Sequence, residues 1–207
     1  MTQVKKKEGR YHSEKYWRDR FDLIYYQAVD FIVRSVAFEA KSIIDVGSGN
    51  CPYIEWFYWI DRKISIDIRA PYTSPNVESV VANILDHQFD EKFDIALCLQ
   101  VLEHIPDPGP FARRLLELSD RLIVSVPYKW PAGKTPGHVQ DPVDEIMLQS
   151  WFGRSPNYSV IINEPLRGAK GRRLIAIFDA DLARRFGHED TKKRMPKLDL
   201  SGSGGRF

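Results

Sequence analysis

One short segment constrains the fold of this 207-residue chain more than any other. Residues 42–46, Ser-Ile-Ile-Asp-Val, form an apolar, β-branched run that is typical of a buried strand, and Gly47 and Gly49 follow it directly. Glycine removes side-chain bulk and permits positive φ, so a ligand can approach the backbone of such a turn closely. Without a ligand, the same segment is a tight connection between two elements. The segment therefore predicts a strand followed by a turn and leaves both readings of the turn open.

The rest of the chain alternates short apolar runs with helical or polar connections. Further strands are predicted at residues 64–68, 77–82, 93–99, 121–126, 159–163 and 173–179. Apolar residues follow helical spacing over 14–36, with shorter helical connections at 54–59, 110–119 and 143–152. This order predicts an α/β fold, a Rossmann-like, seven-stranded, mainly parallel sheet with helices on both faces. A short polar segment separates the last two strands, so we expect an antiparallel hairpin at the sheet edge.

The composition limits the kind of protein. The 43% hydrophobic and 28% charged residues are typical of a globular chain, and a net charge of +2 does not favour a nucleic-acid partner. Two cysteines indicate neither a disulfide framework nor a zinc cluster, and no apolar run suits an export signal or a membrane span. We therefore expect a cytoplasmic protein. A single domain is predicted over 1–187, with an N-terminal helical cover over about 11–37 and a flexible, charged and Gly/Ser-rich tail over 188–207.

Asp67 ends the second predicted strand and adds to the case for a ligand. Neighbouring parallel strands bring their following loops to one sheet edge, where a carboxylate can accept hydrogen bonds from two ribose hydroxyls. An exposed acidic residue at a strand end is the alternative without a ligand. A dinucleotide is disfavoured, because the G-x-G-x-x-G pattern that starts at Gly47 has Pro52 in place of its third glycine. The sequence thus favours a ligand without a pyrophosphate group.

From about residue 41 to about residue 179, the sequence resembles the small-molecule branch of the class I S-adenosylmethionine-dependent methyltransferases. The most specific likeness is FDIALCLQVLEHIPDP at 93–108, which resembles the fourth strand and following turn of that family. DVGSG at 45–49 resembles its acidic-x-Gly-x-Gly loop, although Cys51 replaces the third family glycine. The resemblance implies an enzyme with S-adenosylmethionine as its cofactor. It implies these cofactor-binding residues: Asp45, Gly47, Ser48, Gly49, Asp67, Ile68, Asn83, Ile84, Leu99 and Gln100.

Two histidines are the candidates for catalysis. His138 stands in the loop after the fifth strand, where this family branch often has a histidine, and its near-neutral pKa suits acceptance of a hydroxyl proton. A hydrogen bond that caps the loop is the alternative for His138, and a structural or cofactor-side role is the alternative for His104. His138 and Asp141 alone do not supply three ligands, so we expect no metal.

Aromatic residues are the candidates for binding the acceptor. The resemblance places an N-terminal helix over the cofactor cleft and a loop beside the transferred methyl, which assigns Tyr16, Trp17 and Tyr128 to substrate binding. Core packing of an amphipathic helix is the alternative for the N-terminal pair.

The resemblance implies O-methylation of a small molecule, such as a sugar or glycan precursor, so the expected partner is a small hydroxylated acceptor. The basic turn that includes Arg167, Lys170, Arg172 and Arg173 leaves a protein or nucleic-acid methyltransferase as an alternative, although such a turn also suits a solvated edge. A non-catalytic, cofactor-binding regulatory subunit is a third possibility. Base methylation is disfavoured, because no Asn-Pro-Pro-Tyr-like sequence follows the fourth strand and Cys98 lies inside an apolar run. The oligomeric state is not indicated.

Overall fold

The structure is a computed structural model that describes residues 14–198. The start of the expected helical cover and the Gly/Ser-rich end of the expected tail lie outside these residues. Within them, seven strands form one sheet. The strands are β1 Ser42–Val46, β2 Arg62–Asp67, β3 Glu78–Val81, β4 Phe93–Leu99, β5 Ser119–Pro127, β6 Tyr158–Asn163 and β7 Arg172–Asp179.

The strand order is β3-β2-β1-β4-β5-β7-β6. The pairs from β3 to β5 are parallel, whereas β7 is antiparallel to both β5 and β6. In a parallel set the carboxyl ends of all strands meet at one edge, so the turns that follow β1, β2, β4 and β5 come together there. The predicted mainly parallel sheet with an antiparallel edge hairpin is confirmed.

Helices pack on both faces of the sheet. The described helices are α1 Glu14–Arg18, α2 Ile24–Val36, α3 Pro108–Leu118, α4 Glu145–Phe152 and α5 His188–Lys192, with 3-10 turns at Pro52–Trp56, Leu102–His104 and Gly168–Gly171. α3 and α4 bury one face, and α2 and the first 3-10 turn bury the other. Strands that are covered on both sides bury residues at successive positions, which explains the consecutive buried and mostly apolar residues of β1, β4 and β5. None of the helices within residues 14–198 is long and apolar enough to span a membrane.

The start of α2 is set by a residue from the other end of the chain. Helical spacing is continuous over 14–36, but the structure interrupts the helix before Ile24. The buried Glu164 carboxylate accepts hydrogen bonds from the backbone amides of Ile24 at 3.2 Å and Tyr25 at 2.7 Å. These amides have no partner within the helix, and a negative charge is favourable at a helix N-terminus. Glu164 therefore fixes where α2 begins, which spacing along the chain does not reveal.

Residues 188–198 differ from the predicted flexible tail. α5 occupies His188–Lys192, and the chain beyond it packs against α2. The Arg34 guanidinium donates to the carbonyl of Met195 at 2.9 Å, and the Met195 amide donates to the carbonyl of Arg34 at 3.1 Å. The charged composition indicates that this segment has no core of its own. The composition does not reveal that α2 supplies hydrogen-bond partners that hold the segment in place.

Asp94, the second residue of β4, ties the start of β1 to the sheet. Its Oδ2 accepts hydrogen bonds from the backbone amides of Lys41 at 2.7 Å and Ser42 at 2.8 Å, and from the Ser42 hydroxyl at 3.0 Å. Burial acts to raise the pKa of Asp94, but these hydrogen bonds favour the carboxylate and the net effect lowers the pKa.

We expect Asp94→Ala to lower the free energy of unfolding at neutral pH by about 1 to 2 kcal/mol, because hydrogen bonds to a charged acceptor are lost. Since folding lowers the pKa of Asp94, its contribution is present above the ordinary aspartate pKa and is lost as the pH falls through the native value. Urea unfolding at pH 7 and about pH 3 should therefore show a smaller difference between wild type and variant in acid. Asp120→Ala, at the matching position of β5, is the control, since Asp120 is exposed and its side chain makes no hydrogen bond within the described residues. A difference that does not depend on pH would contradict this role.

Candidate active site

The turn after β1 lies at the carboxyl edge of the sheet. Gly47 has φ +76° and Gly49 has φ +55°, the left-handed region that favours glycine. The Gly47 amide donates to the carbonyl of Ile66 in β2 at 2.8 Å. A Cβ atom on Gly47 would lie 2.6 Å from Cγ2 of Val101, in the turn after β4. The missing side chain therefore lets two turns pack together, and this contact between turns is a reason for Gly47 that the sequence analysis did not include.

Asp67 connects the ends of β1 and β2. Its Oδ2 accepts the Gly49 amide at 3.1 Å, and its Oδ1 accepts the amides of Arg69 at 2.7 Å and Ala70 at 3.2 Å. A carboxylate offers about four acceptor positions, of which these bonds use three. Asp67 thus holds the glycine turn in place and keeps an acceptor position for a ligand.

Exposed apolar side chains lie beside Asp67. Ile68 follows Asp67 directly and is 64% exposed, and Val81, which pairs with Asp67 in the sheet, is 66% exposed. Ile84 was assigned to cofactor binding, but its side chain is 3% exposed and packs in the core. Asn83 is exposed, and its Oδ1 already accepts the backbone amide two residues later at 3.1 Å. The apolar surface at this edge therefore comes from Ile68 and Val81 rather than from Ile84.

Two further cofactor candidates, Asp45 and Ser48, are buried. The hydroxyl of Tyr53 donates to Oδ1 of Asp45 at 2.5 Å, and the hydroxyl of Ser65 donates to Oγ of Ser48 at 2.6 Å. Burial raises the pKa of Asp45 to about 7, against the opposing effect of the hydrogen bond from Tyr53. The side chains of Asp45 and Ser48 therefore pack on the inner side of the glycine turn, and only the backbone of these residues is left to face the sheet edge.

Leu99 and Gln100 end β4 in different ways. Leu99 packs in the core, whereas Gln100 has φ +59°, which residues with a side chain rarely adopt. The Gln100 amide donates to the carbonyl of Ser125 at 2.9 Å, and its Nε2 donates to the Ser125 hydroxyl at 3.2 Å. That hydroxyl also contacts the phenol oxygen of Tyr25 at 2.5 Å. Residues held in such conformations concentrate at functional sites.

The acceptor candidates lie in two places. Nε1 of Trp17 donates to the carbonyl of Gly49 at 3.1 Å, which joins α1 to the glycine turn. Tyr16 meets the ring of Trp17 edge to face, with centroids 5.0 Å apart, and its own ring lies 3.6 Å from the guanidinium of Arg20. Tyr128 follows β5 and packs against the core cluster of α3 and α4. The first two residues therefore border the glycine turn, whereas Tyr128 does not.

Three titratable side chains, Glu103, His104 and His138, meet beyond the ends of β4 and β5, and we refer to them as the polar cluster. One nitrogen or oxygen atom from each lies within 4.8 Å of those of the other two. The rings of His104 and His138 meet edge to face, with centroids 4.8 Å apart. The sequence analysis named both histidines but missed Glu103, because in the sequence it is one acidic residue in a predicted turn.

The loop that carries His138 is pinned to the turn after β4. The carbonyl of Glu103 accepts the amides of Val139 at 2.9 Å and Gln140 at 3.3 Å. Nε2 of Gln140 donates to the carbonyl of Ile105 at 2.8 Å. These hydrogen bonds hold His138 next to Glu103, although 35 positions separate the two residues in the chain.

Hydrogen bonds fix the orientation of both imidazoles. Nδ1 of His138 lies 2.8 Å from Oδ2 of the buried Asp141, and Nδ1 of His104 lies 2.8 Å from the carbonyl oxygen of Gly137. An imidazole that donates from Nδ1 leaves Nε2 with a free lone pair when it is neutral. Burial lowers the pKa of His138, while Asp141 acts to raise it. Burial also raises the pKa of Glu103, to about 8.

Several buried polar atoms around the polar cluster lack a hydrogen-bond partner among the described residues. They are Oε2 of Glu103, Oδ1 of Asp141, Oγ1 of Thr135 and Nη1 of Arg173. The Arg173 guanidinium instead lies over the rings of Tyr25 at 5.0 Å and Trp130 at 5.4 Å. Because buried polar groups in proteins normally have partners, this region suits a polar ligand or ordered water. Asp141 and Arg173 are also functional candidates, although the sequence analysis assigned neither of them to the catalytic, cofactor-binding or acceptor-binding residues.

Residues 44–118 match a protein family described as a methyltransferase domain. The matched range contains the glycine turn, Asp67 and the turn after β4. Residues 44–118 therefore belong to this methyltransferase domain family, and the activity that it indicates is that of an S-adenosylmethionine-dependent methyltransferase. Its cofactor is S-adenosylmethionine, and the free acceptor position of Asp67 beside exposed Ile68 and Val81 fits a ribose joined to an apolar ring. No curated protein sequence matches this methyltransferase.

Solved structures are similar to this methyltransferase in fold. One is the N-methyltransferase NodS from Bradyrhizobium japonicum WM9 in complex with S-adenosyl-L-homocysteine, with a TM-score of 0.62 and 14% identity over 82% of this chain and 94% of that chain. Another is the Burkholderia thailandensis 1,6-didemethyltoxoflavin-N1-methyltransferase with bound 1,6-didemethyltoxoflavin and S-adenosylhomocysteine. Its TM-score is 0.52 and its identity 18%, over 79% of this chain and 83% of that chain.

The contact between Gly47 and Val101 predicts a specific cost of a side chain. Alanine at a left-handed position costs about 1 to 2 kcal/mol wherever it is placed. Gly133, with φ +67°, has no atom within 4 Å of a built Cβ, so Gly133→Ala measures that cost alone. We expect Gly47→Ala to lower the free energy of unfolding by at least about 1 kcal/mol more than Gly133→Ala, because Val101 must move. Urea unfolding measures both, and equal losses would show that the two turns are not tightly packed.

Asp67→Asn tests the ribose position without removing the side chain. The amide oxygen of asparagine replaces one carboxylate oxygen, so either the bond from the Gly49 amide or the bonds from the Arg69 and Ala70 amides remain, and urea unfolding verifies that the variant is folded. Charge-assisted hydrogen bonds to a ligand are lost. We expect calorimetry to show S-adenosylhomocysteine binding weakened by about 10-fold or more. Asp61→Asn, an exposed change just before β2, should leave the affinity unchanged. Wild-type affinity in Asp67→Asn would remove Asp67 from the cofactor site.

Proposed function

We propose that this methyltransferase transfers the methyl group of S-adenosylmethionine to an oxygen atom of a small hydroxylated molecule. The observation that supports this proposal is the polar cluster, which lies at the carboxyl edge of the sheet in the turns that pack on the glycine turn. When bound, the cofactor supplies an electrophilic methyl group. A hydroxyl group must lose its proton as its oxygen is methylated, and the polar cluster offers nitrogen and oxygen lone pairs for that purpose.

On the cofactor side, Asp67 accepts one ribose hydroxyl through its free acceptor position, and Ile68 offers an apolar face to adenine. The exposed Asn83 keeps one lone pair of Oδ1 for the exocyclic amine of adenine. The backbone of Gly47 and Gly49 leaves room for the methionine part. These assignments follow from the position of each group along one sheet edge, in the order β1, β2 and β3.

On the acceptor side, His138 and His104 are the residues that act on the acceptor hydroxyl. Asp141 orients His138 through Nδ1, so that Nε2 faces away from that hydrogen bond. Trp17, fixed to the carbonyl of Gly49, and the neighbouring Tyr16 form part of the wall of the acceptor pocket. The unpartnered polar atoms nearby provide hydrogen bonds for a polar acceptor rather than an apolar one.

A nitrogen acceptor is the second candidate, because both relatives named above are N-methyltransferases. A neutral amine attacks through its own lone pair and can release its proton after the transfer, so it does not need a base at the moment of reaction. A site built around two histidines and a carboxyl group is better suited to a hydroxyl, whose proton must leave during the transfer.

A protein or nucleic-acid acceptor has less support than the sequence indicated. Arg173 is buried, and Nζ of Lys170 donates to the carbonyl of Lys134 at 2.8 Å. The basic turn therefore presents fewer free cations than its sequence suggests, and an electrostatic surface for a polyanion needs several.

Transfer of a labelled methyl group from S-adenosylmethionine tests the reaction class. The acceptor set includes sugars, nucleotide sugars, phenols, amines, RNA and a protein mixture. We expect label in a small hydroxylated acceptor and a methyl ether in its product by mass spectrometry. Label on nitrogen or on a macromolecule would support the alternatives. Binding of S-adenosylhomocysteine without transfer to any acceptor would instead favour a regulatory subunit.

His138→Ala should lower turnover by about 10² to 10⁴-fold while the affinity for S-adenosylhomocysteine stays near wild type, because the side chain acts on the acceptor and not on the cofactor. His188→Ala is the control, since His188 is exposed on α5, away from the polar cluster. If cofactor affinity falls together with turnover, His138 holds the loop instead, and the loop-capping alternative applies.

A further inference from the structure

We infer that Glu103, His104 and His138 bind a divalent transition-metal cation, with coordination positions left open to the acceptor. This inference rests on the proposed function and states how the same site would act on an oxygen atom. No metal was expected from the sequence, because His138 and Asp141 supply too few ligands. The fold brings a carboxylate and a second imidazole to His138 from a turn that lies more than 30 positions earlier.

The residue types and distances suit one ion. Two imidazole nitrogens and one carboxylate oxygen are ordinary ligands of divalent first-row metals. Ligands at about 2.0 to 2.2 Å from an ion lie at most about 4.4 Å from one another. The corresponding atoms of the polar cluster already lie within 4.8 Å of one another, so small side-chain rotations bring them into that range.

The hydrogen bonds of both histidines match those of metal ligands. A histidine that binds a metal usually donates its other ring N–H to a carboxylate or a backbone carbonyl, which fixes the tautomer and the ring. Nδ1 of His138 is bonded to the carboxylate of Asp141, and Nδ1 of His104 to the carbonyl of Gly137. Both rings therefore keep Nε2 for a cation.

Glu103 supplies the independent observation. Its side chain is 1% exposed, and its Oε2 has no hydrogen-bond partner among residues 14–198. A carboxylate oxygen that is buried without a partner is costly, and a cation removes that cost. Two cationic side chains, Arg173 and Lys170, act electrostatically on this region and oppose a cation. The carboxylate of Asp141 offsets them, and Glu103, whose pKa burial raises to about 8, adds a second negative charge when a cation displaces its proton.

Three protein ligands leave coordination positions open, as in catalytic rather than structural metal sites. A hydroxyl that occupies one of them is more acidic than in water. Because both Nε2 lone pairs then bind the cation, the cation takes the place of a free imidazole in promoting loss of the acceptor O–H proton, which leaves to solvent. The oxygen forms a bond to the methyl carbon, and the bond from that carbon to sulfur breaks with its electron pair remaining on sulfur. The chemistry involves no oxidation or reduction.

Titration with Co²⁺ tests the site without any acceptor. Chelator-treated, full-length protein at about pH 8, where histidine is neutral, is titrated by calorimetry and followed by the visible absorption of Co²⁺. We expect one ion per chain. Glu103→Gln, His104→Ala and His138→Ala should each weaken binding by about 10-fold or more, and Asp141→Asn, which acts through His138, should also weaken it. His188→Ala should bind as wild type, and S-adenosylhomocysteine binding verifies that each variant is folded.

Absence of stoichiometric binding to the wild type, or equal binding by wild type and all three ligand variants, would overturn the metal site. Failure of this inference is distinguishable from failure of the proposed function. If Co²⁺ binds as expected but no hydroxylated acceptor is methylated, the metal site stands and the proposed reaction is wrong. If Co²⁺ does not bind and a hydroxyl is methylated in the presence of chelator, the reaction stands and the metal site is wrong.

Discussion

The close packing of two turns organises the carboxyl edge of the sheet in this methyltransferase. Gly47 has no side chain, so Val101 can occupy the space where one would lie. That contact places the turn after β4 directly against the turn after β1. Glu103 and His104 follow Val101 within three residues, so the polar cluster lies next to the glycine turn as a consequence. One glycine therefore brings the two parts of the site together, the part suited to the cofactor and the part suited to the acceptor.

The sheet could be predicted from the sequence because each strand is recognisable from its own run of apolar residues. Strands covered on both faces need continuous apolar residues, so Ser42–Val46 and Phe93–Leu99 were predicted with the bounds that the structure has. The position of Asp67 follows from the same logic, since the residue that ends a parallel strand lies at the carboxyl edge. What pattern alone misjudged was exposure, as Ile84 shows: an apolar residue after a strand can face a ligand or the core, and its spacing is the same in both cases.

Features that depend on distant partners could not be read from the sequence. Glu164 begins α2 from more than 130 positions away, and Met195 joins the end of the chain to Arg34. The polar cluster also depends on distant partners. Nothing in the sequence indicates that Glu103 and His138 meet, and they do so because the carbonyl of Glu103 accepts hydrogen bonds from the loop that carries His138. Periodicity reports which face of an element is buried. It carries no information about which two loops meet.

The free-energy cost of burying polar atoms without hydrogen-bond partners is the strongest indication that the polar cluster binds a ligand. Buried carboxyl and guanidinium atoms without hydrogen-bond partners destabilise a fold. Glu103, Asp141 and Arg173 each have such an atom, and these residues lie in or next to the loops that pack at the carboxyl edge of the sheet. Apolar side chains of similar volume would stabilise the same space better. Buried polar atoms without partners at this place, beside a sheet that is packed with apolar residues on both faces, are groups that a polar ligand would satisfy. The cluster is therefore understandable as a binding site and not as a part of the core.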